Sequence, residues 1–393
     1  MRSLRAHGLV PRLRPFTSTI FAEMTALAAR TGAVNLGQGF PDTDGPAGML
    51  EVARSAIASG HNQYPPGPGI PELRAAVAGQ RASCYGLVHD PDTEVLVTVG
   101  ATEAISAALL ALVGQGDEVL LIEPYYDSYP AAVALAGATR RCVPLVADGD
   151  RFTLDLGVMA AAITPTTRAL VLNSPHNPTG TVLRPAELAA LAALAVEHDL
   201  LVITDEVYEH LVFDGACHHP IATFPGMAQR TLSVSSAGKT FSVTGWKIGW
   251  VCGPAHLVAA VRAVKQFLTF VGGAPLQPAV AHALRAEHDW VAAHRAALQD
   301  KQRRLAAGLR AAGFGVLSSD GTYFTCADVR PLGYRDGVEF CRDLPARTGV
   351  VAIPVQVFVD DPAPWRHLVR FAFCKRDEVL DEAIARLARA ALR

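Results

Sequence analysis

The 393 residues are half apolar, only 18% charged and carry a formal net charge of -2, enough to bury a large core and more than one ordinary domain. No long single-sign block favours a nucleic acid or a membrane surface, and the most apolar stretches, Ala104 to Val113 and Leu188 to Val196, fall well short of the roughly 20 residues of a membrane span. Seven scattered cysteines without a CxxC pair suit reduced thiols in the cytoplasm, which leaves small molecules as the expected partners.

Met1 to Phe16 contains arginines and no acid, yet it lacks the apolar region and cleavage site of a targeting peptide and reads as an N-terminal arm. Turn-rich sequence follows, Asn35-Leu-Gly-Gln-Gly-Phe-Pro-Asp42, then a helix from about Ala47 to Gly60 and a second turn cluster, Tyr64-Pro-Pro-Gly-Pro-Gly69. Gly37-x-Gly39 lacks the third glycine and helix start of a dinucleotide site.

Short apolar runs then alternate with Ala/Leu helices. Glu94 to Val99, Glu118 to Ile122, Ala169 to Asn173, Leu200 to Thr204 and Thr231 to Ser235 are expected strands. Most have no polar face, as in a mainly parallel sheet covered on both sides, whose ligands lie at the carboxyl ends of the strands.

The first strand runs into Gly100-Ala-Thr-Glu103 and an apolar helix, so backbone N–H groups and the Thr102 hydroxyl offer a phosphate seat; a plain strand-to-helix turn is the alternative. After the second strand, Glu123-Pro-Tyr-Tyr-Asp127 supplies aromatic faces, with Tyr125 read as the one that stacks on a planar ring. The third leads into Ser174-Pro-His-Asn-Pro-Thr-Gly180, a rigid turn that presents the Asn177 amide. The fourth ends in Asp205-Glu-Val-Tyr208, placing a carboxylate at the sheet edge and a phenol one helical turn on. Asp205 suits the fixed anion that a protonated pyridine requires, or else caps the next helix. Cys217-His-His219 has no second ligand pair at zinc spacing and reads as a solvated loop, with no metal.

The densest signal is Ser235-Ser-Ala-Gly-Lys-Thr-Phe-Ser-Val-Thr-Gly-Trp-Lys-Ile-Gly-Trp250, after the fifth strand. Gly238-Lys239-Thr240 matches the tail of a nucleotide-binding P-loop, but Ser233 replaces the required glycine and the residues that follow make a poor helix. The competing reading is a partly desolvated Lys239, its pKa lowered beside Lys247, acting as nucleophile and base.

From Gln277 to Leu309 the pattern is almost continuously helical, and Phe314 to Val316, Tyr323 to Ala327, Val350 to Ile353 and His367 to Phe373 read as short strands of a smaller α+β domain. Arg370 lies in the last, where a guanidinium needs either an internal acid or a substrate carboxylate.

In this order the motifs resemble the class I/II aminotransferases of the fold-type I pyridoxal-phosphate enzymes, across nearly the whole chain. Asn35 to Asp42, Ile122 to Tyr129, Asn173 to Gly180, Thr204 to His210 and Thr244 to Gly249 resemble the kynurenine, glutamine and methionine aminotransferase branch, and most of all actinobacterial enzymes assigned as N-succinyldiaminopimelate aminotransferases of lysine biosynthesis.

The resemblance implies a three-layer α/β large domain over 45–283 binding pyridoxal 5'-phosphate, a small α+β domain over 284–393 and an arm over 1–44 packed on the small domain. It implies Lys239 as the covalent anchor of the cofactor, Asp205 at the pyridine nitrogen, Asn177 and Tyr208 at the ring hydroxyl and Tyr125 on the ring face. Ala101, Thr102, Ser236 and Lys247 would hold the phosphate, with Tyr64 donated by the neighbouring subunit of a homodimer; Arg370 and the Gly37 backbone would grip the substrate carboxylate, beside Asn177. Ping-pong transfer between an amino acid and a 2-oxo acid would follow, with cysteine-conjugate β-lysis as the rival chemistry on the same residues. Lys247 stands where arginine is common, and Gly238 where a bulkier small residue is usual.

Overall fold

Uninterrupted apolar runs such as Val119-Leu-Leu-Ile122 are stable only in a sheet covered on both faces, and they fold accordingly. The computed structural model describes residues 8–17 and 19–390; Met1 to His7 of the expected arm lie outside them. Eight strands form the central sheet: β1 (Val95–Thr98), β2 (Glu118–Glu123), β3 (Thr139–Asp148), β4 (Arg151–Leu154), β5 (Thr167–Asn173), β6 (Leu201–Asp205), β7 (Thr231–Ser236) and β8 (Gly249–Cys252). Their order is β1-β8-β7-β6-β5-β2-β3-β4.

Side chains alternate between the two faces. Val119, Leu121, Val171 and Ile203 point into one core, under helices α1 (Gly100–Leu112) and α2 (Ala255–Lys265). Leu120, Ile122, Leu170 and Val202 point into another, under the helix Pro185–Glu197.

Strands β3, β2, β5, β6 and β7 are mutually parallel, as expected. Strand β8 is not: it runs antiparallel between β1 and β7, and its four residues, opening on a glycine, carry too little pattern to be read beforehand. The β3–β4 hairpin was also hidden, because β3 opens on Thr-Arg-Arg, carries Pro144 in its middle and buries only Val143 and Leu145.

A second sheet holds β9 (Gly315–Val316), β10 (Phe324–Asp328), β11 (Ile353–Pro354) and β12 (Leu368–Ala372) in the order β9-β10-β12-β11. The expected Val350 to Ile353 strand is divided: Val350–Val351 pairs in parallel with Val34–Asn35, and Ile353 joins β12. The expected continuous helix from Gln277 breaks at Glu287 into Gln277–Ala286 and His288–Ala311. One core joins this sheet to Met24, Ala28 and Leu36 of the N-terminal segment. No helix among the described residues is long and apolar enough to cross a membrane.

Candidate active site

The parallel strands end at one edge, and there they deliver their polar residues. Asn173 pairs with Asp205 at the ends of β5 and β6, and Ser236 closes β7. Because β8 is antiparallel, its first residue, Gly249, pairs with both Ser236 and Thr98, which brings Lys247 beside the start of α1. A Cβ on Gly249 would sit 2.7 Å from the Gly100 carbonyl carbon, so only glycine permits this approach. Lys247 itself is held in the left-handed region at φ 55°.

Ala101, Thr102, Asn177, Asp205, Tyr208, Ser236, Lys239, Lys247 and Arg370 all line one cleft, together with Phe21, Gln38, Tyr126, Tyr129 and Phe324. Among the described residues its lining cations, Lys239, Lys247 and Arg370, outnumber its one carboxylate, Asp205, which suits an anionic ligand.

Lys239 projects from a single helical turn, Ala237–Thr240, rather than from a phosphate loop, which removes the P-loop reading. Its Nζ faces the rings of Tyr208 and Tyr323, 5.9 Å from each centroid. Burial lowers its pKa, and Lys247 and Arg370 push the same way against Cys374 and Asp205. A Cβ on Gly238 would lie 3.0 Å from Thr244 Cα, so the glycine lets the lysine turn pack on the returning loop.

Asp205 is buried, which raises its pKa; a 2.6 Å hydrogen bond from the Tyr129 hydroxyl and one of 3.2 Å from the Val207 amide pull it back. Tyr208 lies in a turn, not on a helix. Arg370 is buried on the face of Phe324, 3.9 Å from its centroid. It donates to Asn177 Oδ1 at 2.9 Å and to the Gly37 carbonyl at 2.8 Å, while its Nε has no partner, so no acid among the described residues pairs with the guanidinium.

Three expected roles need correction. Tyr125 lies outside the cleft, its hydroxyl donated to Asp360, because the loop after β2 turns alternate side chains apart; Tyr126 lines the cleft instead. The Gly37 N–H is occupied by Asn35 Oδ1 and its carbonyl by Arg370, so Gly37 orients the arginine and has no donor left for a carboxylate. His218 is buried against Glu206 and Tyr85 rather than solvated. Tyr64 stands outside its own chain's cleft, 82% exposed. Tyr126, Tyr129 and Gln38 lay within quoted motifs without being given a role, and Phe21 and Phe324 carried no site signal in the sequence.

The sequence pattern of aminotransferase class I and II matches residues 31–387. The chain belongs to that family. It is 62% identical over 387 residues to a probable N-succinyldiaminopimelate aminotransferase of Mycobacterium tuberculosis, covering 96% of this chain and 98% of that one. It is 42% identical to the methionine aminotransferase of Escherichia coli, covering 96% and 98%. The solved structure of the M. tuberculosis N-succinyldiaminopimelate aminotransferase superposes with a TM-score of 0.96 over 97% of this chain and 99% of that chain, at 63% identity.

The protein is thus a pyridoxal-phosphate-dependent aminotransferase of the α/β fold-type I class. Its own residues fit that cofactor: a half-buried amine of lowered pKa, a buried carboxylate and a cationic seat at a helix start converge on one cleft.

Proposed function

We propose that this aminotransferase acts on N-succinyl-diaminopimelate with glutamate and 2-oxoglutarate as the amino-group pair, by a ping-pong reaction in the lysine biosynthetic route. The observation that carries this reading is the 62% identity, over nearly the full length of both chains, to the probable N-succinyldiaminopimelate aminotransferase.

In this reading Lys239 anchors pyridoxal phosphate, Thr102, Ala101, Ser236 and Lys247 hold its phosphate, and Asp205 faces its ring nitrogen. When bound, the cofactor supplies an electron-accepting ring. Arg370, oriented by Asn177 and Gly37, binds the α-carboxylate through its remaining N–H donors and so fixes the direction of the Cα–H bond. The Lys239 amine, its pKa lowered by burial, takes the proton from Cα and returns it on the other side of the transfer. With Oδ1 spent on Arg370, the Asn177 amide has its Nδ2 donor left for the ring oxygen, beside the Tyr208 hydroxyl.

The cleft is read as lying between a large unit over 45–283 and a small unit over 284–393, with the arm on the small unit. Tyr64 is proposed to enter the partner's site in a homodimer. It forms an exposed aromatic patch with Phe270, 5.4 Å away, close in sequence to exposed Phe267. The cytoplasm is the proposed compartment.

A specific observation favours a second reading. Phe21, Tyr126 and Phe324 give the cleft an aromatic wall, and its three lining cations already have roles, leaving none among the described residues for a distal carboxylate. Methionine or an aromatic donor such as kynurenine fits that wall. Steady-state assays with N-succinyl-diaminopimelate, methionine and kynurenine against 2-oxoglutarate decide between them. A kcat/KM for methionine or kynurenine above that for N-succinyl-diaminopimelate overturns the first reading.

A further inference from the structure

Three residues of the cleft have a sequence neighbour that turns the other way. Asp205, Tyr208 and Ser236 line the cleft, while Glu206, Glu209 and Ser235 lie buried behind the sheet edge. Ser233 and Ser235 share one face of β7, as the alternation of a strand requires, and each meets a carboxylate there. Ser233 donates to Glu206 at 3.3 Å and Ser235 to Glu209 at 2.6 Å.

The two carboxylates converge on one cation. Arg81, near the end of the helix Pro71–Tyr85, donates from one nitrogen to Glu206 at 2.6 Å and to Glu209 at 3.4 Å, and from another to Ser233 at 3.2 Å. Burial would raise the Glu209 carboxyl, but His210, Arg81 and His218 bring it below its ordinary value, so it accepts its bonds as an anion.

Glu206 and Glu209 are the two ends of a turn. The Glu209 amide donates to the Glu206 carbonyl at 2.8 Å, and Tyr208 sits between them with neither helix nor strand to hold it. The rings of Tyr323 and Phe324 meet Tyr208 edge to face, with centroids 5.2 and 6.1 Å away, and set the plane of its ring. Its reach into the cleft is set by the turn, whose far end is pinned through Glu209.

We infer that Glu209 is a positioning residue for the transfer reaction: tied to Ser235 and Arg81 behind the sheet, it fixes the turn that carries the Tyr208 hydroxyl to the cofactor's ring oxygen. The inference rests on the reading that Tyr208 serves that oxygen.

Removing Arg81 endangers the fold, so the test loosens the clamp at Glu209 itself. Ser235→Ala removes the shortest bond to Glu209, and Glu209→Gln keeps an acceptor for Ser235 while turning an amide donor toward Arg81. In the holoenzyme, with the best donor of the steady-state assays, each variant is expected to lower kcat roughly 3- to 10-fold, to leave KM within about twofold and to weaken the visible circular dichroism of the bound cofactor. In a Tyr208→Phe background, itself slower than the parent, neither change is expected to lower kcat further, because the hydroxyl that Glu209 aims is gone.

Equal losses with and without the Tyr208 hydroxyl, or no loss in either case, show that Glu209 serves only the fold and overturn the inference. A Tyr208→Phe enzyme as fast as the parent removes Tyr208 from the ring oxygen, and the inference falls with that reading.

Discussion

Tyr129 donates its hydroxyl proton to Asp205 Oδ2 across 2.6 Å, with both side chains shut away from solvent. Burial raises the Asp205 carboxyl above the usual range, and this bond is the largest influence opposing it. Tyr129→Phe keeps the ring and removes the proton, so Asp205 is expected to become a poorer anion. Cofactor affinity and kcat should each fall roughly 3- to 10-fold. Fluorescence titration of the apoenzyme and steady-state rates check this; parent-like values for both would detach Tyr129 from the chemistry.

Adjacent tyrosines offer a direct comparison. Tyr126 lines the cleft, whereas Tyr125 binds Asp360 beyond it. Tyr126→Ala is expected to raise the cofactor dissociation constant roughly tenfold or more, and Tyr125→Phe to leave it within about twofold. The reverse ranking would restore Tyr125 to the ring face.

Burial depresses the Lys239 pKa, so in the apoenzyme an unfolded lysine, titrating near 10.4, binds a proton that the folded one gives up. Apoenzyme stability should accordingly rise with pH from the lowered value toward about 10.4, and fall as pH drops through the folded pKa. Lys239→Met should flatten that slope and abolish transamination. Melting temperatures of the two apoenzymes across this range test it; parallel curves would mean the amine is solvated.

Beneath the Asp205 strand, Arg81 donates to Glu206 at 2.6 Å, and both are buried. Burial alone would raise the Glu206 pKa, but Arg81 and His218 bring it down to about 2. An unfolded glutamate titrates near 4.3, so this contribution to stability is complete above that value and is lost as pH falls toward 2. Arg81→Met leaves Glu206 and Glu209 buried without their cation and is expected to cost about 3–5 kcal/mol in urea unfolding at neutral pH. A loss below about 1 kcal/mol would show that the pair is dispensable.

The residues legible in the sequence were those placed by strand ends. Asp205, Asn177, Ser236 and Thr102 each follow an apolar run, and a parallel sheet collects such positions at one edge whatever the helices do. Lys239 was legible from its company, and Arg370 because a guanidinium in an apolar strand demands an explanation. What escaped depends on direction within loops and on contacts distant in sequence. The choice between Tyr125 and Tyr126 is set by how one turn twists, Phe21 and Gln38 arrive from the N-terminal segment, and Tyr323 comes from the turn that leads into β10. The antiparallel β8 was invisible, although Lys247, which it positions, was not.

Gly249 is wedged between two strands and the start of the helix proposed to seat the cofactor phosphate. That seat is consequently a by-product of how the sheet closes, and cannot be retuned where it is tightest: any branch grafted there prises the helix off the strand before it touches a ligand. Attempts to adapt the enzyme to a cofactor with a different anionic tail have freedom at Thr102 and Lys247, whose tips are free of that wedge, and none at the glycine that brought them together.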